Sequence, residues 1–185
     1  GAMGPLLLPL AGIILMRSFM VSALTTYLPL LLSETGASLW MAGASLTILE
    51  AAGVGGALLG GAWSDRLGRR TVLLISFVST PLFMFGFLGA GPVLRIVLLV
   101  LMGFTALSVT PVVMAMVQEN LPHNRALANG VYMALSFGLR SGVVVIYGGI
   151  GDLFGLQTAF TASAVIALIG SPLVAFLPRR WGHAT

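Results

Sequence analysis

Apolar runs alternate along this chain with short polar breaks, and six of the runs are long enough to matter. A helix rising about 1.5 Å per residue needs about 20 apolar residues to cross about 30 Å of hydrocarbon. The first span is expected from about Leu6 to Leu32, with Pro29 near its end and Ser33-Glu34-Thr35-Gly36 closing it. The second runs from about Leu39 to Gly61, and the third from about Thr71 to Leu88, before Gly89-Ala90-Gly91-Pro92. The fourth covers about Val93 to Gln118, where Pro111 predicts a kink, and the polar stretch from Glu119 to Arg125 ends it. The fifth covers about Ala126 to Ile150, followed by a tight turn at Gly151-Asp152-Leu153-Phe154-Gly155, and the sixth about Thr158 to Leu177, before Pro178-Arg179-Arg180. The pattern predicts an all-α integral membrane protein with one six-helix transmembrane domain over residues 5–185. Gly1 to Gly4 reads as a cleavage scar and is set aside. The first run is too long for a signal peptide, lacks a basic start and carries Arg17 in its interior.

Three charges fall well inside these spans, away from their ends: Arg17 in the first, Glu50 in the second and Arg140 in the fifth. A charge facing lipid costs several kcal/mol, so each is expected to face the bundle or a wet cavity. At about 100° per residue, Asn129, Tyr132, Ser136, Arg140 and Tyr147 share an arc of about 80° on the fifth span. Arg17, Ser18, Ser22 and Thr25 share a looser arc of about 140° on the first span. Thr105 and Ser108 lie one turn apart on the fourth. The candidate cavity residues are therefore Arg17, Glu50, Thr105, Asn129, Tyr132, Ser136 and Arg140. Two plainer readings stand beside this one: Arg17 and Glu50 as a structural ion pair, and the hydroxyls bonded to their own helix backbones. Gly56-x-x-x-Gly60 and Gly138-x-x-x-Gly142 read as packing glycines that let helices approach closely.

Composition agrees with the class: 58% of residues are hydrophobic, 8% are charged and the mean hydropathy is +1.06. The net charge of +4 comes from arginines alone, and no basic stripe with interleaved aromatics points to nucleic acid. With both termini on the cytoplasmic side, that side receives Arg66, Arg69, Arg70, Arg125, Arg179 and Arg180, while the other receives only Arg95. The bias predicts one orientation, a multi-pass protein of the plasma (inner) membrane, and parallel self-assembly. There is no cysteine, and His123 and His183 are far apart, so no metal site is expected. No Walker loop, Gly-x-Ser-x-Gly elbow or pair of carboxylates is present, so no enzyme and no cofactor are expected. Glu50 is the one interior carboxylate able to carry a proton.

The densest charge cluster is Gly61-Ala-Trp-Ser-Asp65-Arg66-Leu-Gly68-Arg69-Arg70, a short basic loop between the second and third spans. It matches Gly-x-x-x-Asp-Arg-x-Gly-Arg-Arg and resembles the loop joining the second and third helices of a six-helix half in the major facilitator superfamily of transporters. Arg17-Ser18, Tyr27-Leu28-Pro29-Leu30, Pro122 to Arg125 and Asn129-Gly130 are similar to the second half of a fosmidomycin-resistance or related drug-efflux member. The fifth span departs from the antiporter pattern, since Val143 stands where proline is usual. The resemblance implies a six-helix half bundle whose first, second, fourth and fifth helices line the cavity. It also implies a gate made of Gly61, Asp65, Arg66, Gly68, Arg69 and Arg70, in which Asp65 pairs with the motif arginines and caps the fifth helix of an opposing half near Asn124 to Ala126. The plain alternative is that these arginines only set orientation. A family member has two such halves, so the resemblance implies a small-molecule transporter that works by alternating access as a parallel homodimer or with a complementary half. The competing reading is a non-transporting half or accessory membrane subunit.

Overall fold

The computed structural model describes residues 4–120 and 124–175. The expected end of the sixth span at Leu177, Pro122, Arg179, Arg180 and both histidines lie outside the described residues. Among the described residues, six helical spans are long and apolar enough to cross a membrane. The first consists of α1 (Gly4–Ser22), a π-helical segment (Ala23–Tyr27) and α2 (Leu28–Glu34). The others are α3 (Leu39–Leu67), α4 (Arg69–Gly89), α5 (Pro92–Asn120), α6 (Arg125–Phe154) and α7 (Leu156–Ala175).

The π segment has a local cause in Pro29, which offers no N–H to the Thr25 carbonyl and whose ring crowds that oxygen. Widening the helix over Ala23–Tyr27 relieves the conflict while the chain stays helical through Glu34. Pro111 does not break α5, which is continuous from Pro92 to Asn120.

Two expected loops are largely helix. The second span continues past Gly61 to Leu67, so the basic loop shrinks to Gly68, whose φ of +90° suits glycine and few other residues. Ser64 Oγ donates to the Gly61 carbonyl at 2.8 Å, and Asp65 pairs with Arg69 across the break at 2.9 Å. The fifth span likewise passes Ile150 and stops at Gly155, where φ is +87° and the N–H donates to the Gly151 carbonyl at 2.8 Å. Hydropathy marks where the membrane ends, and the helix ends at the next backbone conformation it cannot adopt.

The closest seam lies between α3 and α5. A Cβ at Gly56 would stand 2.0 Å from the Phe104 carbonyl oxygen, and one at Gly103 would stand 2.1 Å from that of Leu49. Gly53 and Gly60 meet Leu107 and Ser108 in the same seam. Gly138 and Gly142, with the same spacing, have no atom within 4 Å of where a Cβ would stand, and both lie on an uncovered face of α6. The expected packing role is therefore met within this chain by the first pair and not by the second.

Around the seam, α4 packs on α5 and α7, α1 packs on α6 and α7, and α2 packs on α3. The core falls into two apolar blocks. One holds Met20, Leu24, Leu49, Met84, Phe87, Met102 and Phe160; the other holds Ile13, Ile14, Phe77, Val109, Val113 and Met116. Polar positions fill the level between: Arg17 and Ser18 on α1, and the pairs Ser76–Ser108 at 3.0 Å and Thr80–Thr105 at 2.7 Å between α4 and α5. Trp40 and Trp63 stand near opposite ends of α3, about 35 Å apart along the axis, a spacing suited to the two membrane interfaces.

Candidate functional site

Arg17 reaches from α1 to α5, where its guanidinium donates to the Thr110 hydroxyl. Its Nε is buried with no hydrogen-bond partner, and it lies within electrostatic reach of Tyr132 and Arg140 on α6. Arg140 donates to Thr25 Oγ1 at 2.9 Å, and Thr25 donates in turn to the Val21 carbonyl at 2.8 Å. Thr25 belongs to the π segment, so the local widening of the first span coincides with the place where Arg140 attaches. One turn further, Tyr27 donates to the Val144 carbonyl at 2.7 Å, and its ring stacks on that of Tyr147 with centroids 4.2 Å apart.

The polar stripe of the fifth span thus lies against the first span. Tyr132 is buried, Ser136 keeps a buried hydroxyl without a partner, and Asn129 accepts from Gln118 Nε2 at 2.8 Å. The structure brings together Arg17, Tyr132 and Arg140, with Ser136 between the latter two on the same helix face. No carboxylate faces either arginine among the described residues; the two ion pairs found there both belong to Arg69.

Glu50 and Thr105 stand apart from this group. Glu50 is exposed on the uncovered face of α3 and forms no ion pair with Arg17. Thr105 turns towards α4, accepts from Thr80 at 2.7 Å and donates to the Leu101 carbonyl at 2.8 Å. The helix-backbone reading also describes Ser18, which donates to the Ile14 carbonyl at 2.7 Å, and Ser108, which donates to that of Thr105 at 2.7 Å. Thr110 and Tyr27 are the site neighbours that sequence reasoning missed. Thr110 gives no signal, being one hydroxyl among many; Tyr27 stood out only as part of a family pattern.

At the end of the bundle carrying Gly68, Arg69 joins three partners: Asp65 at 2.9 Å, Glu119 at 2.7 Å and Ser64 Oγ at 2.6 Å. Glu119, at the end of α5, ties the second polar break on this side to the first. Sequence reasoning placed it in a polar stretch and assigned it no role, although it is the only other acid expected at that end. Arg66 is exposed, and Gly61 and Arg70 are half-buried. Asn124, which stands just before α6, makes no side-chain cap hydrogen bond to that helix.

Residues 10–182 match the profile of the Major Facilitator Superfamily. The chain is similar to an uncharacterized MFS-type transporter, YfnC, of Bacillus subtilis (strain 168), being 32% identical over 122 residues, or 66% of this chain and 29% of that protein. It is similar to a fosmidomycin resistance protein of Escherichia coli (strain K12), being 26% identical over 160 residues, or 86% of this chain and 39% of that protein. The chain thus spans well under half the length of these relatives.

Proposed function

Because the chain belongs to the major facilitator superfamily, we propose that it forms one six-helix half of a secondary transport pathway for a small anionic or polar organic solute. The observation that carries this reading is the pair Arg17 and Arg140, held inside the spans by hydroxyl partners with no carboxylate facing either. Two cations at that depth leave positive potential uncompensated, and a solute carrying an anionic group supplies what the protein withholds. A drug-like efflux substrate fits the resistance named for one relative.

A second six-helix unit completes the pathway, and a parallel copy of this chain is the reading we adopt. Exposed Glu50 supports it, since a carboxylate on a lipid-facing helix centre costs roughly 2.5–3.5 kcal/mol on insertion scales and is relieved by protein or water over that face. The open small-residue face at Gly138 and Gly142 lets another helix approach closely. Glu50 then lies at the joint between units, where protonation couples to the solute. The Asp65–Arg69–Glu119 cluster gates the motif end, and Asp65, placed near the uncapped start of the partner's α6, favours one of two alternating states. The assembly belongs in the plasma membrane.

Native mass spectrometry at low protein concentration, paired with uptake of a panel of organic anions into reconstituted vesicles under a pH gradient, tests the proposal. A dimer whose anion uptake is abolished by Arg17→Gln or Arg140→Gln, and uncoupled from the gradient by Glu50→Gln, supports it. A monomer without flux under every condition overturns self-pairing and leaves a unit that needs a complementary half.

A further inference from the structure

At the end of the bundle opposite Gly68, Arg95 stands in the first turn of α5 and lines two cavities. The larger, of about 250 Å³, is formed mainly by Leu32, Met41, Phe87, Ile96 and Leu99 around that arginine. The smaller, of about 80 Å³, extends from Arg95 towards Thr35 and Gln157. The guanidinium lies over the Phe87 ring, 5.6 Å from its centroid. Its Nε is buried with no hydrogen-bond partner, and no carboxylate pairs with it among the described residues. Glu34 and Asp152 share this end, but both are exposed and neither pairs with Arg95.

The remaining polar groups of the larger cavity are already engaged. Ser38 Oγ accepts from the Met41 N–H at 3.2 Å, and Ser45 Oγ donates to the Ala42 carbonyl at 2.6 Å. One cation is therefore left to anchor a ligand in an otherwise apolar space. The volume falls below the range of about 300–1,000 Å³ that holds drug-sized solutes, and suits a length of flexible hydrocarbon instead. Val93, Leu94, Ile96 and Val97 are exposed beside it, so an apolar surface on the outside of α5 runs up to the cavity. The first turn of that long helix also directs N–H groups and the positive end of its dipole to the same place.

We propose that this is a binding site for a membrane phospholipid with an anionic headgroup, its phosphate on Arg95 and one acyl chain along Leu32, Met41, Ile96 and Leu99. The site is separate from the Arg17–Arg140 group, and its occupancy does not depend on what that group transports. Charge complementarity selects the headgroup, and the apolar lining holds the chain.

The test is native mass spectrometry of the purified full chain titrated with phosphatidylglycerol or with phosphatidylcholine of the same acyl chains. The expected result is one phosphatidylglycerol bound more tightly than phosphatidylcholine, weakened about tenfold by Arg95→Gln through loss of a charge-assisted hydrogen bond. Arg95→Lys retains most of the binding, and Ile96→Trp, which fills the cavity mouth without altering charge, weakens it. If Arg95→Gln does not fold, the lysine and tryptophan variants decide. Equal affinity for the two lipids, or binding untouched by Ile96→Trp and Arg95→Gln alike, would overturn the proposal in favour of a non-selective lipid annulus.

Discussion

Replacing Gly56 with alanine tests whether the α3–α5 seam holds the bundle together. The added Cβ would stand 2.0 Å from the Phe104 carbonyl oxygen, 2.7 Å from its carbonyl carbon and 2.8 Å from its Cα. Carbon-to-oxygen contacts between helices settle at about 3.3–3.6 Å, so α5 must withdraw by about 1.3 Å at this level. The obstacle is backbone, which no side-chain rotation removes. Withdrawal also opens the contacts of Gly60 with Ser108 and of Gly103 with Leu49. A gap of about 0.5–1 Å forfeits a quarter to a half of the dispersion energy at each contact, and between membrane helices that energy is a large part of what holds them. Overpacking costs about 1–3 kcal/mol, and a rigid obstacle puts Gly56→Ala near the top of that range. Gly55→Ala is the internal control, since no atom lies within 4 Å of its Cβ position. Thermal unfolding in detergent, followed by tryptophan fluorescence, is expected to show Gly56→Ala about 6–12 °C below wild type, at about 2–4 °C per kcal/mol for a chain of this size. Coincident unfolding of the two variants would refute the reasoning.

Four further outcomes follow from the described contacts. Gly68→Ala forces a side chain into φ +90° and is expected to cost about 1–3 kcal/mol, read as a lowered Tm in the same assay. Asp65→Asn and Glu119→Gln each remove one partner of Arg69; with these carboxylates 66% and 41% exposed, each is expected to lower stability by less than about 1 kcal/mol, whereas Arg69→Ala loses both pairs. Asp65→Asn is further expected to preserve membrane orientation while shifting the balance of open states, measured by labelling cysteines introduced into this cysteine-free chain. Tyr27→Phe gives up the 2.7 Å bond to Val144 and is expected to cost about 0.6 kcal/mol, while a double-mutant cycle of Tyr27→Ala with Tyr147→Ala is expected to assign about 0.5–1.5 kcal/mol to the ring stack itself.

The number of spans was legible because a membrane imposes a minimum apolar length, and nothing else in this chain satisfies it. Helix ends were less so, since hydropathy is silent about the residues beyond each apolar run that remain helical once water can solvate the polar ones among them; α3 continues past Gly61 to Leu67 and α6 past Ile150 to Phe154 for that reason. Angular phase put Asn129, Tyr132, Ser136 and Arg140 on one side of the fifth span but could not say which neighbour that side meets. The same blindness separates Thr105, which faces α4, from the positions it was grouped with. It also left Arg17 with Glu50 as a plausible partner, when the hydroxyl it meets is Thr110, far away in sequence. Gly56–Gly60 and Gly138–Gly142 read identically as strings, and only the position of α5 tells a filled seam from an open face. The π segment had a readable cause in Pro29, though proline in a helix more often announces a kink.

The glycine seam also divides the bundle by stiffness. Where α3 and α5 touch backbone to backbone, there is no layer of side chains to shear, and the two helices must travel as a single strut. The first span is built differently: its helical winding changes midway, and it meets α6 through a tyrosine stack and hydrogen bonds at Thr25 and Tyr27, contacts that exchange partners at little elastic cost. Any bending the protein undergoes is therefore concentrated on the side that carries Arg17 and Arg140, with the opposite side serving as the frame against which it bends.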